Sequence, residues 1–190
     1  MILLIDNYDS FSYNLYQLIG SIRPDIEIIR NDDLTVAEVI EKKPEAIILS
    51  PGPGRPKDAG ICESLIKEVD GTIPILGVCL GHQAICESYG ATIGYAKELM
   101  HGKKKKIKKT MESKMFREIG EVFFAARYHS LVAKRENLPD CLQVTALSED
   151  GEIMAVEHKE KPVYGLQFHP ESVMTEDGKQ MIKNFLGMEG

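Results

Sequence analysis

No apolar run in this chain approaches the roughly 20 residues needed to cross a bilayer, so nothing in it reads as a membrane span. The opening MILLID has no charged n-region and no long apolar core, and reads as a buried first strand rather than a signal peptide. Basic residues are in the minority, 23 against 29 acidic, for a formal net charge of -6. That balance argues against a nucleic-acid binder, which needs a basic face. The four cysteines, Cys62, Cys79, Cys86 and Cys141, form no CxxC pair and have no histidines at zinc spacing. Nor do they look like a secreted disulfide framework. With 43% hydrophobic and 27% charged residues, the expectation is a soluble cytoplasmic protein with free thiols. At 190 residues, with no repeat or linker, it is expected to be one domain spanning 1–190.

The first half alternates between short apolar runs and helical spacing. Residues 2–5, 26–29, 46–49 and 74–78 read as strands, and 10–19, 61–69 and 80–89 as helices. Thr35-Val36-Ala37-Glu38 is a capping box that opens another helix. Four strand–helix units in a row imply a parallel sheet with helices on both faces. The second half differs: 122–127, 142–147, 153–157 and 163–168 are strand-like with few helices between them. Asp150-Gly151 signals a hairpin, and 177–186 a closing helix. The expectation is an α/β fold, flavodoxin-like, with antiparallel strands appended to the parallel core. The lysine-rich 103–109 reads as a solvated charged edge that discourages strand pairing.

The strongest chemical signal is Gly77-Val78-Cys79-Leu80-Gly81-His82-Gln83, which follows a strand and opens a helix. Gly-x-Cys-x-Gly is the thiol counterpart of the Gly-x-Ser-x-Gly elbow. Its glycines clear a sharp turn, and the helix N-terminus favours a thiolate. The other three cysteines lack this setting and read as packed thiols. A cysteine nucleophile needs a base, and the base an orienting group. His169-Pro170-Glu171 ends the last strand; in extended chain, residues two apart share a side, so Glu171 can orient His169. His82 lies one helical turn past the thiol and points along the helix. Ser50-Pro51-Gly52-Pro53-Gly54 follows another strand and is suited to an oxyanion hole, since glycine lets N–H groups come close and proline stiffens the loop.

SPGPG at 50–54, GVCLGHQA at 77–84 and QFHPES at 167–172 together resemble the class I glutamine amidotransferases along nearly the whole chain. The resemblance implies a triad of Cys79, His169 and Glu171. It implies an oxyanion hole at Gly52, Pro53, Gly54 and Leu80, and glutamine contacts at Gln83, Ser130 and Leu131. Asp6-Asn7-Tyr8-Asp9-Ser10-Phe11, His101-Gly102-Lys103 and Arg127-Tyr128-His129-Ser130-Leu131 are similar to the chorismate-using branch. That branch includes the glutaminase components of anthranilate synthase and aminodeoxychorismate synthase, and SPGPG leans to the former.

The reading implied is hydrolysis of L-glutamine and supply of ammonia to a chorismate-binding large subunit for tryptophan biosynthesis. The folate-pathway subunit, or one shared by both pathways, is the alternative. A γ-glutamyl hydrolase could use the same triad but fits less well, given the chorismate-branch motifs and the absence of extra substrate-binding segments; a non-catalytic binding module would have no need for a complete triad. No metal or organic cofactor is expected in this chain; Mg²⁺ is expected in the partner subunit. The surface for that partner is assigned to Asp6, Asn7, Tyr8, Asp9, Ser10, His101, Gly102 and Lys103. The isolated chain is expected to be a poor glutaminase until the partner binds.

Overall fold

The computed structural model describes residues 1–187. Five strands run parallel: β1 (Ile2–Asp6), β2 (Ile26–Arg30), β3 (Ala46–Leu49), β4 (Ile75–Val78) and β9 (Val163–Leu166). Four pair antiparallel: β5 (Ile93–Lys109), β6 (Val122–Ala133), β7 (Leu142–Ser148) and β8 (Ile153–His158). All nine form one sheet in the order β2-β1-β3-β4-β9-β8-β7-β5-β6. The parallel part has the flavodoxin-like order 2-1-3-4-5, with β9 in the fifth place.

Strands covered on both faces read as continuous apolar runs rather than alternations. ILLI in β1 and AIIL in β3 are such runs, and all eight of those residues are buried. Alternate residues pack on opposite faces. Ile2, Leu4 and Ile48 join Leu15 and Ile19 of α1 (Ser12–Gly20) and Met181, Ile182 and Phe185 of α5 (Gly178–Leu186). Leu3, Ile5, Ile47 and Leu49 join the other face, under α2 (Val36–Glu41), α3 (Cys62–Val69) and α4 (Leu80–Ser88). The capping box forms as expected: Glu38 N donates to Thr35 Oγ1 at 3.2 Å, and Thr35 N to Glu38 Oε2 at 2.7 Å. The Asp150-Gly151 signal sits in the β7–β8 hairpin, with Gly151 at φ +82°. No helix among the described residues is long and apolar enough to cross a membrane.

Two expectations need correction. The lysine run is not an unpaired edge. It belongs to the 17-residue β5, which pairs with β6 along its length and with β7 at Ile107, Lys108 and Lys109. Its lysine heads stay in solvent, while Met100 and Ile107 are buried and anchor the strand. Glu98, Glu121, Glu149 and Glu176 lie within 4.0 Å of lysine nitrogens along it, relieving like-charge repulsion. The second concerns β9, which ends at Leu166 rather than running on to His169: His169 makes a separate antiparallel bridge with Ala126, and Glu171 lies on the turn that follows.

Candidate active site

The carboxyl ends of β1, β3, β4 and β9 converge on a cavity of about 310 Å³. Ligands of open α/β sheets sit at such ends, where the winding reverses. Cys79 is the hinge between β4 and α4 and has φ +52°, ψ -101°. A non-glycine residue held there stores about 1–3 kcal/mol of strain, which the surroundings must impose. The glycines allow it. A Cβ on Gly77 would lie 2.4 Å from the Gly81 carbonyl oxygen, and one on Gly81 would lie 2.5 Å from the Leu49 carbonyl oxygen. The turn is pinned by Cys79 N donating to Leu166 O at 2.8 Å. Leu80 opens α4, where a backbone N–H has no intrahelical acceptor.

His169 is placed by the turn after β9. Its N–H donates to Ala126 O at 3.0 Å, tying it to β6. Thr175 Oγ1 donates to His169 O at 2.7 Å and accepts from Ala126 N at 2.9 Å. His169 Nδ1 lies 2.5 Å from Glu171 Oε1, and the two side chains are only 3% and 0% exposed. Its Nε2 is enclosed and is the ring nitrogen left for Cys79. Burial opposes charge on this ring, but hydrogen bonding and charge from Cys79 and Glu171 outweigh it. They raise the His169 pKa from 6.5 to about 10. An imidazole that keeps its proton at neutral pH is the counter-ion a thiolate requires and the acid a departing amine requires. The rings of Phe11 and Tyr128 stand 5.5 and 5.0 Å from the imidazole and enclose it.

The residues singled out in the sequence separate into groups. Cys79, His169, Gly52, Pro53, Gly54, Gln83, Ser130 and Leu131 all line the cavity, with Glu171 behind His169. Of the proposed partner surface, Asp9 and His101 line the mouth, and burial pushes the Asp9 carboxyl above its usual range. Tyr8, Ser10, His101 and Lys103 are exposed. Tyr8 donates its hydroxyl to Asp32 at 2.6 Å, and Lys103 pairs with Glu98 at 2.6 Å. Gly102 has φ +67° and packs against the Tyr128 ring. Asp6 and Asn7 work from beneath. Asp6 Oδ1 accepts from Ser12 Oγ at 2.6 Å. Asn7, 3% exposed, donates its backbone N–H to Ser50 Oγ and its side-chain amide to Ser50 O, both at 2.8 Å. Gly52 lies flush against Asn7, where a Cβ would be 2.6 Å from its carbonyl oxygen. The 6–11 loop and the 50–54 loop are therefore one packed unit.

His82 is fully buried beneath Gly165, and burial with the nearby His129 lowers its pKa to about 3. It is a core residue packed behind the cavity and is not among the residues that line it. Sequence reasoning misses several functional neighbours. Gln167 carries no charge and stands out only as part of QFHPES, yet its Nε2 lies 3.5 Å from the Cys79 sulfur. Thr175 has no periodic or motif signal, and Phe11 and Tyr128 stand inside motifs that do not reveal their contact with His169.

The fold is that of known amidotransferases. A protein from Thermoplasma acidophilum described as a putative GMP synthase subunit superposes with a TM-score of 0.88 at 26% identity, over 99% of this chain and 92% of that one. The chain is 50% identical over 99% of its length to the bifunctional protein TrpGD of Thermotoga maritima, but spans only 32% of that protein. It is 47% identical to the aminodeoxychorismate/anthranilate synthase component 2 of Bacillus subtilis, over 98% of this chain and 95% of the relative. Residues 3–188 match the family described as glutamine amidotransferase class-I, and the chain belongs to that family.

Proposed function

We propose that this chain is the glutaminase subunit of an anthranilate synthase, cleaving L-glutamine at Cys79 and passing ammonia to a chorismate-binding large subunit. The observation that carries the chemistry is the shared cavity: a strained thiol at a strand–helix elbow beside a buried imidazole whose other nitrogen is 2.5 Å from a buried carboxylate. In this reading the Cys79 thiolate attacks the side-chain amide carbon. Backbone N–H groups of Leu80 and the 52–54 loop hold the oxyanion; Pro53 has no N–H, so the glycines supply the donors. His169 protonates departing ammonia, then draws a proton from the water that hydrolyses the glutamyl thioester. Glu171 holds the ring and stabilises its charged form. Gln83 and the Ser130–Leu131 backbone seat the amino-acid end. This half-reaction uses no metal or organic cofactor in this chain, and Mg²⁺ belongs to the large subunit.

The partner surface is proposed at the 6–11 loop with 101–103. Its support is contact: Phe11 stands against His169 and Asn7 against Gly52, so pressure there reaches both triad and oxyanion loop. A displacement of about 1 Å can cost about 10²-fold, and on that basis the isolated chain is a poor glutaminase switched on by its partner. A free, unoxidised thiol suits the cytoplasm, where the chain is placed. The Bacillus subtilis relative carries both products in its name, so a subunit shared with aminodeoxychorismate synthase is the second reading.

The test mixes the chain with each large subunit, glutamine, chorismate and Mg²⁺, and follows the two products separately. Glutamine-dependent anthranilate is expected. Product with only the folate-pathway partner overturns the pathway and leaves the glutaminase reading standing.

A further inference from the structure

A line of buried polar groups runs from β6 to the nucleophile, and its direction is set by backbone. Arg127, 2% exposed, donates its Nε–H to His129 Nε2 at 3.0 Å. His129 therefore carries its proton on Nδ1, which donates to Leu131 O at 3.1 Å. Burial first, and the Arg127 charge second, lower the His129 pKa to about 3, so the ring is neutral at pH 7. Gln83 Nε2 donates to the same carbonyl at 3.0 Å and to Gln167 Oε1 at 3.1 Å. An amide has two N–H groups, and both of Gln83's are thereby committed. The Leu131 carbonyl can only accept, which fixes which way the Gln83 amide faces. That in turn makes the Gln167 oxygen the acceptor and turns its Nε2 toward Cys79 Sγ, 3.5 Å away. Gln167 is wholly buried, and its backbone N–H is held by Met154 O at 2.8 Å.

We infer that Gln167 is a further catalytic residue, donating an amide hydrogen bond to the Cys79 sulfur and stabilising its thiolate, with Gln83, His129 and Arg127 as positioning residues that fix the direction of that bond. A hydrogen bond to a charged group outweighs one to its neutral form, so the donor favours S⁻ over S–H. The thiol form has its own outlet, the Tyr128 carbonyl at 3.7 Å. The chain also limits how Gln83 meets substrate: with its N–H groups used, only its carbonyl oxygen is left, which suits the α-ammonium of an amino acid. The other titratable groups that share the cavity with the sulfur are His169, backed by Glu171, the Tyr128 phenol, and Asp9 and His101 at the mouth.

The inference rests on Cys79 being the nucleophile, but its test reads the thiol rather than turnover. The rate of Cys79 alkylation by iodoacetamide is followed against pH, with the modified peptide identified by mass spectrometry. Gln167→Met removes the donor; Gln167→Glu keeps the size and the Gln83 contact and turns an acceptor toward sulfur. Alkylation at pH 7 should slow about tenfold in Gln167→Met, with the midpoint moving to higher pH, and move further in Gln167→Glu. Arg127→Met should move the midpoint the same way by less, with Arg127→Lys recovering part of it. Wild-type midpoints in folded Gln167 variants overturn the inference and leave the glutaminase reading untouched. The native protein supplies a check that needs no Gln167 variant: the Gln167 side-chain amide signals in NMR should shift as Cys79 titrates, and signals that ignore the titration overturn it equally.

Discussion

The five parallel strands and the four antiparallel strands of the sheet meet at β9 and bring different kinds of group to the cavity. The parallel part delivers reactive side chains and free N–H groups from strand ends: Cys79 after β4, the 52–54 loop after β3, and His169 with Glu171 after β9. The antiparallel part delivers mostly backbone and enclosure. Ser130 and Leu131 line the cavity from within β6, and the Tyr128 ring covers His169. Chemistry thus depends on where parallel strands stop, whereas the seat depends on where a long strand passes. Substitutions at the strand ends should act on turnover out of proportion to stability. Substitutions at the seam should affect both.

The largest effects are expected at the strand ends. His169→Ala should lower glutaminase activity by about 10²–10⁴-fold and also lower the denaturation midpoint, because it leaves the buried Glu171 carboxylate without its partner; Glu171→Ala should be milder in turnover. If His82→Ala or His129→Ala proved more damaging in the same assay, the base would be misassigned. At the seam, Thr175→Val keeps the shape but unpairs the Ala126 N–H and leaves the His169 carbonyl only its longer bond from Ser172 N at 3.3 Å. About 1–3 kcal/mol of stability should be lost, together with some turnover, because the His169 turn is released. A loss of stability with full activity would separate seam from site. The smallest effect is on titration. Cys79→Ala removes a group that raises the His169 pKa while burial persists, so the imidazole pKa read by NMR should fall from about 10. The sign follows by linkage: a folded-state pKa above 6.5 gives stability that is whole below about pH 6.5 and lost as pH rises through about 10. In Cys79→Ala that loss should be complete at lower pH and smaller in total.

The parallel half was legible because its signals are local. Apolar runs such as AIIL, the Thr35–Glu38 box and the glycines around Cys79 each state a backbone requirement within a few residues. The antiparallel half was legible only in part. β5 hides because its pairing with β6 satisfies the backbone while most of its side chains face water; the few buried ones, Ile93, Met100 and Ile107, are too far apart to show a strand alternation. The site followed the same rule. The proposed triad residues carry reactive groups in their own side chains, which is why short motifs single them out. Gln167, Thr175 and Asn7 act through hydrogen bonds to residues 43 to 88 positions away, a relation that no short motif records.

The central claim is that the elbow thiol is the nucleophile, and its most direct test is a comparison of four variants. Cys62→Ala, Cys79→Ala, Cys86→Ala and Cys141→Ala are each assembled with the large subunit, and product is measured from glutamine and, separately, from ammonium salt. Cys79→Ala should lose glutamine-dependent product by roughly 10³-fold or more and keep ammonia-dependent product at the wild-type rate, while folded variants at the other three positions keep both. Glutamine-dependent product that survives in Cys79→Ala contradicts the account.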